Sequence, residues 1–407
     1  MLVLAPNWAA PSERWLTYIL AAIGRNLVAV AANDAPQGGS WGPGATALRV
    51  ADGPSPAWRR VGRRLGLPVD PVAHTAEDVV LAAARRPDVD VICVHYIEYA
   101  LRFERVWQRV DKPLFVHSHG YDTQWDLRTI ERPDEPYFPH DYVPCVRKLA
   151  ERAIFIANPE CARRLRAIGV DGARIVARPY GVPVPLRPPP RPMRSRGLEV
   201  LYVGRLAECK GPDLVIRAFE RACDRGLDAR LTLAGGGELW LTCELLRRRS
   251  RHADRIRVLG AVDSARVDAL WATADLFTLH HCVSPVTRQV DACPVVTIEA
   301  QAAALPVISA RCGGVTDLVV DGATGVLVEP GDVESHADAL LALARDPAKR
   351  LEMGRAGWHR ARTYYDIKDY GAVLRAVLGL DPAAEHAPHG STSAAERPAV
   401  EAQACAG

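Results

Sequence analysis

Short apolar runs alternate with longer segments of helical spacing through the first half of the chain. The runs at 2–5, 27–31, 89–94, 114–117 and 153–157 read as buried strands. The segments at 15–23 and 76–85 carry the three-to-four-residue apolar spacing of amphipathic helices. Strands alternating with helices predict βαβ units and a parallel sheet. A run holding seven prolines at 179–192 then stops the pattern, because proline neither continues a helix nor pairs inside a sheet. After it the alternation restarts. Strands are predicted at 198–203, 230–234, 257–259, 276–279, 307–309 and 325–328. Helices are predicted at 212–225, 239–248, 295–303, 335–345 and 348–361, and the segment 358–378 is expected to lead the chain back to the first half.

The expected architecture is therefore α/β, with two Rossmann-like, doubly wound parallel-sheet domains facing a cleft. The first domain spans 1–180 and a proline-rich linker 181–197. A second domain covers 198–360, a returning helix 361–380, and a polar, aperiodic tail 381–407 reads as disordered. Ligands of such sheets lie outside the carboxyl ends of the strands, so the chemistry is sought there.

Composition narrows the classes. With 407 residues, 48% hydrophobic and a net charge of only +3, the chain is an ordinary globular one and not a general nucleic-acid binder. Local arginine runs occur at 59–64 and 247–251; a solvated helix face is the plain reading, and peripheral contact with an anionic membrane the sharper one. The ten cysteines form no C-x-x-C pair, and His280, His281 and Cys282 alternate faces if they lie on a strand. No metal or cofactor is expected. No signal peptide or 18-residue apolar stretch is apparent, so the expectation is a cytoplasmic protein.

Three motifs sit at strand ends. Gly204-Arg205-Leu206-Ala207-Glu208-Cys209-Lys210-Gly211 follows one strand and enters a helix. Two cations with free backbone N–H groups suit a diphosphate, although a solvated charged turn would read the same. It is not a P-loop, since no Gly-Lys-Ser/Thr order is present. In Asp291-Ala292-Cys293-Pro294-Val295-Val296-Thr297-Ile298-Glu299, Pro294 suits the first helical position and Glu299 falls one turn into an apolar helix. A carboxylate there needs partners, which a ribose diol or a structural cation would supply. His117-Ser118-His119-Gly120-Tyr121-Asp122 follows a third strand and can bring an imidazole into the cleft. Weaker signals are Gly235-Gly236-Gly237-Glu238, Gly313-Gly314-Val315 before a short helix, Gly181-Val182 as a hinge, and Ser12 as the cap of the first helix.

Taken in order, these motifs resemble glycosyltransferase family 4, the retaining GT-B enzymes known as glycosyl transferases group 1, over about 115–365. The resemblance implies that Arg205 and Lys210 hold the donor diphosphate, with Gly204, Gly235, Val295 and Val296 also on the donor. It implies that Glu299 binds the ribose and that His119 lies beside the donor sugar. Asp291 would contact sugar hydroxyls and takes the place of the first Glu of the family's E-x7-E, one methylene shorter. His119, Arg205, Lys210 and Asp291 are the catalytic candidates. Residues 7–10 replace the usual N-terminal Gly-Gly, and Thr316-Asp317 the usual Pro-Glu. The implied reaction is metal-independent, retaining transfer of a hexosyl group from a UDP- or GDP-sugar to a sugar, lipid-linked or small-molecule hydroxyl. Two rival readings are a catalytically altered nucleotide-sugar-binding protein and a nucleotide-sugar epimerase. The arginine- and alanine-rich composition points to a bacterial source.

Overall fold

The computed structural model describes residues 1–7, 14–35, 45–50, 75–191, 193–194 and 196–381. The expectations for Ser12, for residues 8–10, for the arginines at 59–64 and for the tail from 382 lie outside the described residues.

Two fully parallel sheets form. In the first, β1 (Leu2–Leu4), β2 (Ala29–Ala32), β3 (Thr46–Arg49), β4 (Ile92–His95), β5 (Leu114–Ser118), β6 (Ala153–Ala157) and β7 (Ile175–Ala177) run in the order β3-β2-β1-β4-β5-β6-β7. In the second, β8 (Leu198–Val203), β9 (Ala229–Ala234), β10 (Ile256–Val258), β11 (Leu276–Thr278), β12 (Val307–Ala310) and β13 (Gly325–Val328) run β10-β9-β8-β11-β12-β13. Central strands are buried on both faces, which is why they read as unbroken apolar runs rather than as alternation. The order reverses at β1/β4 and at β8/β11, so each sheet has a switch point where loops part and leave a crevice.

Helices cover the first sheet as α1 (Arg14–Ile23), α2 (Ala76–Ala84), α3 (Ile97–Arg102), α4 (Glu104–Trp107), α5 (Tyr142–Arg152) and α6 (Pro159–Ala167). The second carries α7 (Pro212–Asp224), α8 (Trp240–Arg249), α9 (Ser264–Thr273), α10 (Val295–Ala302), α11 (Val315–Leu318), α12 (Val333–Arg345) and α13 (Pro347–Tyr364). Their starts follow local chemistry. Asn158 accepts from the Cys161 N–H at 3.0 Å and Pro159 supplies the first helical residue of α6. Pro294 differs from expectation: with ψ 88 it stands just before α10 as its cap residue, not inside it.

The chain crosses between the sheets twice, side by side. Val182 pairs with Asp366, its N–H donating to the Tyr365 carbonyl at 2.8 Å and its own carbonyl accepting from the Ile367 N–H at 2.9 Å. A Cβ at Gly181 would lie 2.6 Å from Tyr370 Cβ and 2.9 Å from Ile367 Cα, so only glycine lets the crossings touch. The last helix, α14 (Ile367–Val377), then returns to the first sheet and packs on α1, where Arg375 donates to the Ala22 carbonyl at 2.7 Å. Among the described residues no helix is long and apolar enough to cross a membrane.

Candidate active site

The carboxyl ends of β5 and β8 face each other across the cleft. On the β5 side the chain leaves the sheet through Ser118 into His119–Asp122. The buried Asp122 carboxylate organises that turn. It accepts from the N–H groups of Gly120 (2.9 Å), His119 (3.0 Å) and Ile97 (3.1 Å) and from the Ser118 hydroxyl (3.0 Å). Burial raises the Asp122 pKa, and these donors pull it back. Next to it, burial and the Asp122 charge push the Glu98 carboxyl up to about 8, so Glu98 keeps its proton at neutral pH.

The anchored turn places the His119 ring half-buried in an aromatic nest. Trp15 of α1 lies tilted by 30° at a centroid distance of 3.9 Å, Tyr96 lies at 4.6 Å, and the Tyr180 hydroxyl meets His119 Nδ1. On the other ring nitrogen, Nε2, His95 Nδ1 stands at 2.9 Å. Burial first, then the neighbouring His117 and His95, lower the His119 pKa well below the ordinary imidazole value, so the ring is neutral at physiological pH.

On the β8 side, the turn from Gly204 to Gly211 is pinned by Tyr202, whose hydroxyl donates to the Arg205 carbonyl at 2.8 Å. The 235–237 turn lies directly against it. Leu206 N–H donates to the Gly236 carbonyl at 2.7 Å, and a Cβ on Gly235 would overlap the Gly204 carbonyl. Gly235 is thus a packing requirement of the neighbouring turn. Arg205 is exposed and reaches Gln289 at 3.1 Å. Lys210 turns inward, and its ammonium lies 2.5 Å from Asp291.

Asp291 is therefore not an open carboxylate. Burial alone would raise its pKa, but Lys210 and His281 together outweigh it and hold the carboxyl well below the usual range. His281 Nε2 stands 3.6 Å away, beyond hydrogen-bond reach. Segment 291–293 is gripped from both sides. A Cβ on Gly120 would lie 3.2 Å from Ala292 Cβ, and one on Gly314 would strike the Ala292 carbonyl. On α10, Val295 and Val296 are half-buried at the helix start. Glu299, one turn on, accepts from the Tyr18 hydroxyl of α1 at 3.1 Å, so its partner comes from the opposite domain.

Further contacts close the cleft. Gln124 binds both the N–H and the carbonyl of Val290, each at 2.8 Å. Arg163 of α6 pairs with Asp317 at 2.8 Å, the position where Thr316-Asp317 departs from the common pattern. Lys210 and Asp291 are thus brought together, Arg205 lies on the same turn as Lys210, and His119 and Glu299 approach this region through the Gly120–Ala292 and Tyr18–Glu299 contacts. Sequence reasoning missed Trp15, Tyr18, His95, Gln124 and Tyr180, which carry no motif; only Tyr180 bore a signal, as the residue before the expected Gly181-Val182 hinge. His280 and His281 do diverge as expected: His280 bonds His336 at 2.8 Å and His281 bonds Ser309 at 2.7 Å. The arginines of α8 are a charged surface, with Arg247 and Arg248 forked on Glu244. A cavity of about 600 Å³ lies away from this cleft, between Trp107, Lys148 and Arg152 beside the start of β5.

Comparison with known proteins agrees with this fold. Residues 197–346 match the family model described as Glycosyl transferases group 1. A GDP-mannose-dependent alpha-(1-6)-phosphatidylinositol monomannoside mannosyltransferase of Mycolicibacterium smegmatis is 27% identical over 274 residues, which are 65% of this chain and 69% of that protein. A D-inositol 3-phosphate glycosyltransferase of Kribbella flavida is 33% identical over 178 residues, 42% of this chain and 41% of that protein. Among solved structures, sucrose-phosphate synthase of Thermosynechococcus elongatus superposes with a TM-score of 0.70 at 19% identity, covering 93% of this chain and 99% of that one. Anabaena HepE in complex with UDP-glucose gives 0.66 at 20% identity, with the same coverage.

Proposed function

We propose that this chain, whose residues 197–346 match the glycosyl transferases group 1 family model and whose fold is GT-B, moves a hexosyl group, with retention, from a UDP- or GDP-sugar to an acceptor hydroxyl. The observation that carries this reading is the placement of Arg205 and Lys210 on the turn after β8 and of Glu299 on α10, with Ala292 of the segment before α10 packed on Gly120 beside the neutral imidazole of His119. A nucleoside diphosphate sugar matches that set: diphosphate on the two cations, ribose on Glu299, hexose between Asp291 and His119. The names of the relatives support it, since the Mycolicibacterium protein depends on GDP-mannose and the Anabaena structure holds UDP-glucose.

The chain's own groups then act in sequence. The diphosphate enters beside Lys210, which shares its charge between Asp291 and the phosphate oxygens. Glu299 exchanges or shares its Tyr18 donor for the ribose hydroxyls. As the bond from the anomeric carbon to the phosphate oxygen breaks, Arg205 and Lys210 stabilise the charge gathering on the leaving diphosphate. The acceptor oxygen bonds to the anomeric carbon from the same face, and its proton passes to a phosphate oxygen. His119, uncharged, orients a sugar hydroxyl by hydrogen bonding, and no metal takes part. Gln124 and the Tyr18–Glu299 contact hold the cleft shut and exclude water, which would otherwise hydrolyse the donor. All nine described cysteines are free, which supports placing the reaction in the reducing cytoplasm. Lipid-linked acceptors, and with them peripheral membrane contact, find support in the phosphatidylinositol mannoside named for the Mycolicibacterium relative.

The test is a melting-temperature screen against GDP-mannose, GDP, UDP-glucose and UDP. One nucleotide class should raise the melting temperature, and Glu299→Ala should abolish the rise. Equal response to no nucleotide at all would refute the reading.

A further inference from the structure

Three histidines converge beside the cleft, and the strand geometry explains why. His117 lies on β5 and His119 one residue past its end, where the turn anchored by Asp122 brings the His119 ring to 4.4 Å from that of His117, centroid to centroid. His95 closes β4 and is the direct neighbour of His117 in the parallel pairing. One nitrogen from each ring lies within 4.8 Å of the others, and among the described residues no other group of three His, Cys, Asp or Glu side chains converges so closely.

The spacing is that of ligands around one ion. Zinc–imidazole bonds of about 2.0–2.1 Å in tetrahedral geometry put ligand nitrogens about 3.3 Å apart and ring centres about 5 Å apart. Here His95 Nδ1 and His119 Nε2 are 2.9 Å apart, and the ring centroids are separated by 5.2, 5.1 and 4.4 Å. His117 Nδ1 and His95 Nε2 are buried and find no hydrogen-bond partner, so the protein alone does not satisfy this cluster. The Tyr180 hydroxyl holds the far nitrogen of His119, the kind of outer contact that fixes a ligating imidazole.

We propose that His95, His117 and His119 form a binding site for one divalent transition-metal ion of the zinc class, and that occupancy inhibits the enzyme by engaging His119. The ion is an inhibitor and takes no part in transfer. The inhibitory consequence rests on the role proposed for His119; the binding itself does not.

The test uses the full chain, freed of metal by chelator, with neither donor nor acceptor. Titration with Co²⁺ should give one ion per chain, visible bands of tetrahedral coordination and no thiolate charge-transfer band, and Zn²⁺ should displace it. His95→Ala and His117→Gln should each weaken binding at least tenfold, while His252→Ala, on the far side of the second domain, should not. Should His95→Ala fail to fold, the wild-type spectrum and His117→Gln still decide. Absence of a cobalt spectrum, a thiolate band, or binding indifferent to both histidine variants would overturn the site. Because no sugar nucleotide is present, a negative result leaves the transferase reading standing, and failure of donor binding leaves this site standing.

Discussion

The Lys210 ammonium lies 2.5 Å from the Asp291 carboxylate, and both side chains are largely withdrawn from solvent. Removing Lys210 leaves a buried anion without its cation. Lys210→Ala is expected to lower folding stability by about 3 kcal/mol and turnover by about a hundredfold or more. Arg205→Ala, at an exposed position, should lose turnover on a similar scale with almost no change in melting temperature. Denaturant melts and initial rates on the two variants separate these outcomes. Because the Asp291 pKa is depressed, the pair's contribution is complete above the unfolded carboxylate value and disappears only as pH falls through the lower folded value.

A hydrogen bond from the Tyr18 hydroxyl to Glu299 joins the two domains. If Glu299 binds ribose, Glu299→Ala should raise the donor dissociation constant at least tenfold. Tyr18→Phe removes the hydroxyl that donates to Glu299, a hydrogen bond worth about 1 kcal/mol, and should change donor affinity less than about fivefold. Calorimetric titration with the active nucleotide measures both. Equal losses would assign Glu299 to domain closure alone.

Gln124 makes two hydrogen bonds to the Val290 backbone across the cleft. Gln124→Ala should shift the population toward an open arrangement, seen as a larger radius of gyration by small-angle scattering, with a fall in kcat. A radius unchanged from wild type would show that other contacts set closure.

Glu98 holds its proton in the folded state up to about 8, against an ordinary value of 4.5. The folded state therefore binds more protons than the unfolded chain between these values, and stability falls as pH rises through that window, by at most about 1.4 kcal/mol per pH unit. Glu98→Gln should flatten the decline in melting temperature between pH 6 and 8. An unaltered slope would place the titration elsewhere.

The sequence was legible where chemistry is local. The apolar run of β8, interrupted only by Glu199, marked its full extent, and β13 likewise, because strands buried on both faces need no periodicity to be seen. Strands β3 and β7, at the two edges of the first sheet, are short and partly exposed and left no comparable run. The motifs placed Arg205, Lys210, Asp291, Glu299 and His119 at strand and helix ends, since strand-to-helix turns have their own residue chemistry. What bonds to each was not legible. Lys210 and Asp291 stand 81 positions apart, and Tyr18 and Glu299 281 apart. Such partners are chosen by the packing of sheets, on which no local spacing bears. His95 is the plainest case, an apparently ordinary strand residue that becomes part of a cluster only through its register with His117.

The paired crossings at Val182 and Asp366 have a mechanical consequence. One tether between two bodies permits twist and bend in every direction. Two tethers bonded side by side behave as a door hinge: they fold about a single line and resist torsion. Opening would then follow one arc, swinging α10 away from α1 while leaving the Gly181–Tyr370 contact at the pivot nearly still, so each closure returns Glu299 to the same place opposite Tyr18.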